Sequence, residues 1–241
     1  MLLAFLYHRV HTGKYSNSPQ MMEEHLTFLK DKYPILLPGD PTSPIQTSIC
    51  LTFDDAYFDF YHYVFPLLKK LKLRAVLGVP VKYILPSTNL KAEERLDVTY
   101  KTAMECYREK APFCTWEELR EMQMSGHVEI ASHSYSHIDL TIPDVDLEEE
   151  VVYSKKILEE KLQVPIKAFI YPLGKFNKRV HSEVMKHYSY AMRIGNAANF
   201  SWPGLIYRIF SDNLNEKDQL LKKSKLPKYI WNYFLNQARG R

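Results

Sequence analysis

The chain has 241 residues, 46% of them apolar and 25% charged, enough to bury a real core as one large domain spanning residues 1–241. The net charge of +4 is modest, and no basic stripe precedes the C-terminal region, so the pattern speaks against a nucleic-acid binder. Cys50, Cys106 and Cys114 are too few and too irregularly spaced for a disulfide framework or a zinc knuckle, which leaves free thiols in a reducing compartment.

Met1–Leu6 is apolar but lacks a basic lead, and Tyr7-His8-Arg9 ends it. It is too short for a secretory core or a bilayer span, so it reads as a buried strand of a cytoplasmic protein. Further strands are expected at Ser48–Phe53, Ala75–Pro80, Val128–Ser132, Ile166–Tyr171, Tyr190–Ile194 and Leu205–Phe210. Helical patterns fill the intervals near Gln20–Lys32, Tyr57–Leu71, Trp116–Ser125, Leu147–Leu162 and Lys178–His187. This alternation predicts βα units around a parallel sheet. Thr115 and Glu118 form a capping box, Gly126 stands where a left-handed C-terminal residue is wanted, and Asn177 is placed to cap the next helix.

Residues 82–113 break the rhythm: they are polar, mixed in charge and long for a βα connection. They leave the C-terminal end of a strand, where parallel α/β sheets put their ligand sites, and read as a substrate-side insertion with a short helix around Ala92–Glu109. In Pro227–Gln237, Tyr229, Ile230, Tyr233 and Phe234 recur at helical spacing beside Lys228, Arg239 and Arg241. Such a basic aromatic helix packs on its own domain or rests on a membrane surface. The seventeen tyrosines suit sugar stacking and a tyrosine-rich core equally.

Three segments carry chemistry. In Leu51-Thr52-Phe53-Asp54-Asp55-Ala56 a strand runs into two adjacent carboxylates, which diverge at a strand end, so that one can bind a metal while its neighbour acts as a base. They could also merely cap the following helix. In Ser132-His133-Ser134-Tyr135-Ser136-His137 two histidines four apart fall on one side of a helical turn and can share a cation. The pair is weak by itself; its place after another strand gives it meaning. Two histidines and one carboxylate leave positions open for water and substrate. The mixed N/O set suits zinc first, then cobalt, nickel, manganese or iron(II). In Phe169-Ile170-Tyr171-Pro172-Leu173-Gly174 a strand ends in a turn that can aim a backbone N–H at an oxyanion, or serve as an ordinary strand-to-helix turn.

In this order the segments resemble the polysaccharide deacetylase family, with its NodB homology domain (carbohydrate esterase family 4). The matching features are TFDD at Thr52–Asp55, HSxxH at His133–His137 and FxYPxG at Phe169–Gly174. The resemblance implies a distorted (β/α)7-type barrel and a metal-dependent hydrolase that removes an N-acetyl group from an amino sugar or glycan. It makes Asp54 the catalytic base, makes Asp55, His133 and His137 the ligands of one divalent ion, and gives the Leu173 N–H to the oxyanion. The chain departs from the pattern at Ala56, where glycine is usual, and at Ile170, where many members carry an arginine that grips the base. No histidine follows His187 to supply the usual late acid. A permuted subgroup, the poly-N-acetylglucosamine deacetylases, instead carries that acid near the N-terminus in a YHxV sequence. Tyr7-His8-Arg9-Val10 matches it and makes His8 the acid. Tyr207-Arg208-Ile209 resembles the family's late PRI-like strand, and by that analogy Arg208 replaces the missing arginine, the alternative being a surface arginine. The departures also admit a non-catalytic carbohydrate-binding protein on this fold, and the fold admits hydrolysis of a non-sugar amide or ester. The expected substrate is an N-acetylated sugar, whether polymer, nucleotide-linked or lipid-linked.

Overall fold

The computed structural model describes residues 1–202 and 204–240. Its opening strand β1 (Leu2–Tyr7) is followed by two two-residue strands, β2 (Arg9–Val10) and β3 (Ser16–Asn17), that pair with each other. Then come β4 (Ser48–Phe53), β5 (Ala75–Val79), β6 (Val128–Ser132), β7 (Ala168–Ile170), β8 (Tyr190–Ile194) and β9 (Leu205–Phe210). The seven longer strands, β1 and β4–β9, close into a barrel in which β9 pairs back onto β1. Every pairing is parallel, so all seven C-terminal ends open on one rim. Strands buried on both faces need continuous apolar runs, and β1 and β4 are buried at every residue. Narrow side chains such as Ala4, Cys50, Val76, Ala131 and Ala168 fill the barrel interior, as the space enclosed by a small barrel requires. A larger core lies between the barrel wall and the helices, where Phe5, Tyr7 and Phe53 meet Leu26 and Leu29.

The helices are α1 (Pro19–Lys32), α2 (Phe65–Leu71), α3 (Ala92–Leu96), α4 (Tyr107–Lys110), α5 (Trp116–Met124), α6 (Ser154–Leu162), α7 (Lys178–His187) and α8 (Leu226–Ala238). The anticipated caps form. Thr115 Oγ1 accepts from Glu118 N–H while Glu118 reaches back, Asn177 accepts from Val180 N–H, and Gly126 sits at φ 74°. Two expected helices differ at their starts. The stretch Tyr57–Leu71 opens with a π-helical turn at Phe60–Val64 before α2, because Pro66 has no N–H for the regular ladder. Leu147–Leu162 likewise begins with a wide π turn at Glu148–Tyr153. The strand expected over Ile166–Tyr171 is shorter, because Tyr171 leads directly into a 3₁₀ turn at Pro172–Gly174.

The insertion is ordered by a buried cation. In place of one helix around Ala92–Glu109 it holds two short ones, α3 and α4. The Arg95 guanidinium donates to the Ala111 and Phe113 carbonyls, forks onto Glu118, and lies 3.5 Å over the Phe58 ring. The three cysteines are unpaired. No helix among the described residues is long and apolar enough to cross a membrane. Arg241, counted in the basic C-terminal pattern, lies outside the described residues.

Candidate active site

The parallel rim gathers the residues singled out in sequence. Asp54 follows β4 and its N–H donates to Tyr7 O at 2.8 Å, extending the β1–β4 ladder by one bond. Asp55 and Ala56 then take φ values of 70° and 51°, a left-handed turn that costs roughly 1–2 kcal/mol per residue with a Cβ. Ala56, fully buried, occupies this turn where the family pattern has glycine. The turn sends the two carboxylates to different partners.

Asp54 meets Arg208. From β9, Nη1 donates to Oδ1 at 2.6 Å and Nη2 to Oδ2 at 2.9 Å, a bidentate pair with both side chains buried. Nη1 also donates to Thr52 Oγ1 at 3.2 Å. Burial works to raise the Asp54 pKa, but the Arg208 guanidinium, with His133 and His8, outweighs it and holds the carboxyl below the usual range. Ile170 points its Cδ1 into the barrel beside Gly78; a Cβ on Gly78 would come within 2.8 Å of it. An apolar side chain thus stands in the barrel at position 170, and the guanidinium on Asp54 comes from β9 instead.

Asp55 faces the histidines. Its Oδ1 lies 3.5 Å from His133 Nε2 and 3.2 Å from His137 Nε2, and neither buried carboxylate oxygen accepts a hydrogen bond. These separations match the edge of a tetrahedron of ligands, about 3.4 Å when each sits roughly 2.1 Å from zinc. His133 Nδ1 lies 2.9 Å from the Ile170 carbonyl; donating to it directs Nε2 at Asp55. One potential ligand atom from each of Asp55, His133 and His137 lies within 4.8 Å of the other two. The residues fit a cation: unpartnered carboxylate oxygens, an imidazole in the required tautomer and donor spacing that an ion would bridge. Burial lowers the His137 pKa to about 4, with Asp55 opposing it, so its ring is neutral and available at neutral pH.

The HSxxH segment is a loop and not the expected helical turn. Ser134 and His137 adopt φ values of 64° and 56°, and the rings, 4.7 Å apart, stand 69° to one another. The loop is held from below by Glu150, a buried residue that accepts from Tyr135 N–H at 3.1 Å, from Ser136 N–H at 2.9 Å and from the Ser136 hydroxyl.

His8 follows β1 on the same rim. Its backbone N–H donates to Asp212 Oδ1 at 3.0 Å, and Nδ1 lies 2.6 Å from Asp212 Oδ2. Burial depresses the imidazolium, but the hydrogen bond and charge of Asp212, helped by Asp54 and Asp55, raise its pKa to about 9. His8 therefore carries a proton at neutral pH. Tyr15 and Phe210 flank its ring at 5.5 and 6.1 Å. Tyr100, from the insertion, packs edge-on against Tyr15 at 4.9 Å. Leu173 sits at φ 56° in the turn after β7, with its side chain 53% exposed at the rim.

Sequence reasoning missed Asp212, Glu150, Tyr15 and Tyr100. Asp212 carried a usable signal, since it too is a carboxylate just past a strand's C-terminal end. Glu150 sits in a run of three glutamates, and nothing in the sequence distinguishes the one that turns inward.

Residues 42–192 match the profile of the family described as Polysaccharide deacetylase, and the chain belongs to that family. Within it the chain resembles the permuted poly-N-acetylglucosamine deacetylase group. YxkH of Bacillus subtilis (strain 168) is 25% identical over 183 residues, covering 72% of this chain and 57% of that protein. The poly-beta-1,6-N-acetyl-D-glucosamine N-deacetylase of Escherichia coli (strain K12) is 30% identical over 94 residues, 38% of this chain and 12% of that enzyme. The chain thus spans little more than half of the first relative's length and about an eighth of the second's. In fold it is similar to the Streptococcus pyogenes deacetylase PplD (TM-score 0.72, 22% identity, 92% of this chain and 96% of that one). It is also similar to IcaB from Ammonifex degensii (TM-score 0.69, 21% identity, 88% and 92%).

Proposed function

We propose that the protein is a metal-dependent hydrolase that removes the acetyl group from an N-acetylated amino sugar, releasing acetate and leaving a free amine. The observation that carries this reading is the division of labour between adjacent carboxylates: Asp54 is clamped by Arg208, while Asp55 faces two imidazoles with its oxygens unpartnered.

Asp55, His133 and His137 hold one divalent ion, zinc being the best match to the mixed N/O set. When bound, the ion supplies an acidified water and polarises the acyl oxygen. Asp54, kept ionised and oriented by Arg208, takes the proton from the attacking water. The Leu173 N–H donates to the acyl oxygen as it gains charge. His8, protonated through Asp212, gives its proton to the departing amine, which would otherwise leave as an unstable anion. The wall of Tyr15, Tyr100 and Phe210 offers ring faces to the sugar beside the acid. Residues 1–241 act as one catalytic domain, with the insertion on the substrate side.

An acetate-release screen over N-acetylhexosamine compounds, run with and without chelator, tests the reading. Turnover is expected with metal and not after chelation. Asp54→Asn is expected to lower kcat about a thousandfold while the protein still binds its ion by elemental analysis. A fully active Asp54→Asn protein, or activity indifferent to chelation, would overturn the proposal.

A further inference from the structure

The last helix carries a second surface that the chemistry does not use. Residues 219–241 contain Lys222, Lys223, Lys225, Lys228, Arg239 and Arg241 but no Asp or Glu. Only Lys222 among the described members of this set has an acidic partner, Glu216 at 2.7 Å. Helix α8 packs inward through Tyr229, whose hydroxyl donates to Leu220 O, and through Asn232 and Asn236, whose amides donate to Asn196 O and Gly195 O.

The opposite face is apolar and open. At 100° per residue, Pro227, Trp231, Phe234 and Ala238 fall on one stripe. Trp231 is 63% exposed and Phe234 57%. Phe200, from the loop before β9, is 50% exposed and packs edge-on against Tyr233 at 4.9 Å and tilted against Phe234 at 6.3 Å. The stripe is thereby widened by a residue distant in sequence. Lys228 and Arg239 lie along one edge of it, and Lys223 and Lys225 precede it.

We propose that this face docks on an anionic lipid bilayer, with Trp231, Phe234 and Phe200 entering the headgroup boundary and the unpaired lysines and Arg239 meeting lipid phosphates. Three features favour a bilayer over a folded partner. The exposed groups are aromatic, the kind that settles at membrane interfaces. The flanking charge is of one sign, complementary to anionic lipid. No acidic residue interrupts residues 219–241 to screen that charge. Docking is separate from catalysis in its residues. Asp212, the partner of His8, lines a cavity of about 430 Å³ with Lys225, Lys228, Tyr229 and Asn232, so the inward side of this helix reaches the residue behind the acid.

Co-sedimentation of the full chain with vesicles of pure phosphatidylglycerol, against pure phosphatidylcholine, tests this without any substrate. Binding to the first and not the second is expected, weakening as salt is raised. Trp231→Ser with Phe234→Ser should lower the partition coefficient about tenfold or more, and Lys225→Gln with Lys228→Gln should reduce it for anionic vesicles alone. Trp231 emission should shift to the blue on anionic vesicles, a shift lost in Trp231→Phe, which keeps binding. Binding to neither vesicle, binding unmoved by these changes, or a dimer that Trp231→Ser dissolves would overturn the proposal. Vesicle binding without deacetylation would leave this inference standing and sink the proposed activity; the reverse result would do the opposite.

Discussion

At the rim, two carboxylates of the same type meet different partners, and the proposed mechanism rests on that difference. Asp54 and Asp55 are neighbours in sequence, but the left-handed turn at Asp55 and Ala56 sends one to a guanidinium and the other to imidazoles. Arg208→Met leaves Asp54 buried without its counter-ion, and removing one partner of such a pair costs about 3–5 kcal/mol. We expect a clear fall in Tm and an acid limb of kcat/KM that moves to higher pH, since the charge holding the Asp54 pKa down has gone. Asp212→Asn acts on the other side of the site. It removes the hydrogen bond and charge that raise His8, so the alkaline limb should move to lower pH. A limb unchanged in a pH–rate profile of this variant would show that His8 does not donate the proton.

Among the elements, loops anchored by buried charges set the geometry. The HSxxH loop has no helical ladder to hold it and depends on Glu150. Glu150→Gln should lower metal affinity about 10–100-fold, measured by competition with a chelating dye, with little change in circular dichroism. The insertion is tied down in the same manner. Arg95→Ala should free the segment 82–113 from Ala111, Phe113 and Glu118, making it the first site of limited proteolysis while the barrel stays folded. Both losses would be local, because neither residue belongs to the closed strand ladder.

For the whole molecule, the titrating groups of the site predict how stability depends on pH when metal is absent. The His8 pKa is raised to about 9, so its contribution is complete below the unfolded value near 6.5 and is lost as pH rises through 9. Asp54 and Asp55 are lowered; they contribute above their unfolded pKa and lose this as pH falls. His137, lowered to about 4, adds an acid-side penalty that grows as pH falls from 6.5 to 4. For these groups the signs combine to place greatest stability of the metal-free site between the acid-side losses and the alkaline loss of the His8 charge, which thermal melts in chelator across pH would measure. Metal binding only the folded state should then raise stability by about 2.7 kcal/mol at a hundredfold excess over Kd.

The sequence by itself determined the seven barrel strands, the family and the candidate metal-ligating residues, because apolar runs and short motifs are local properties of the chain. It also pointed to His8 through likeness to a permuted group and to Arg208 through likeness to the family's late PRI-like strand. Only the tertiary structure decided what those residues meet. Barrel closure pairs Ala4 of β1 with Arg208 of β9, which is what brings a guanidinium distant in sequence onto Asp54. The same closure sets Asp212 beside His8 and lays Phe200 against α8. Such contacts depend on the ring of seven strands as a whole, and no window of sequence contains them. The histidine loop shows the converse limit: its four-residue spacing predicts a helical turn, but an inward-turned glutamate and two left-handed residues produce a bent loop that aims the same imidazoles at Asp55.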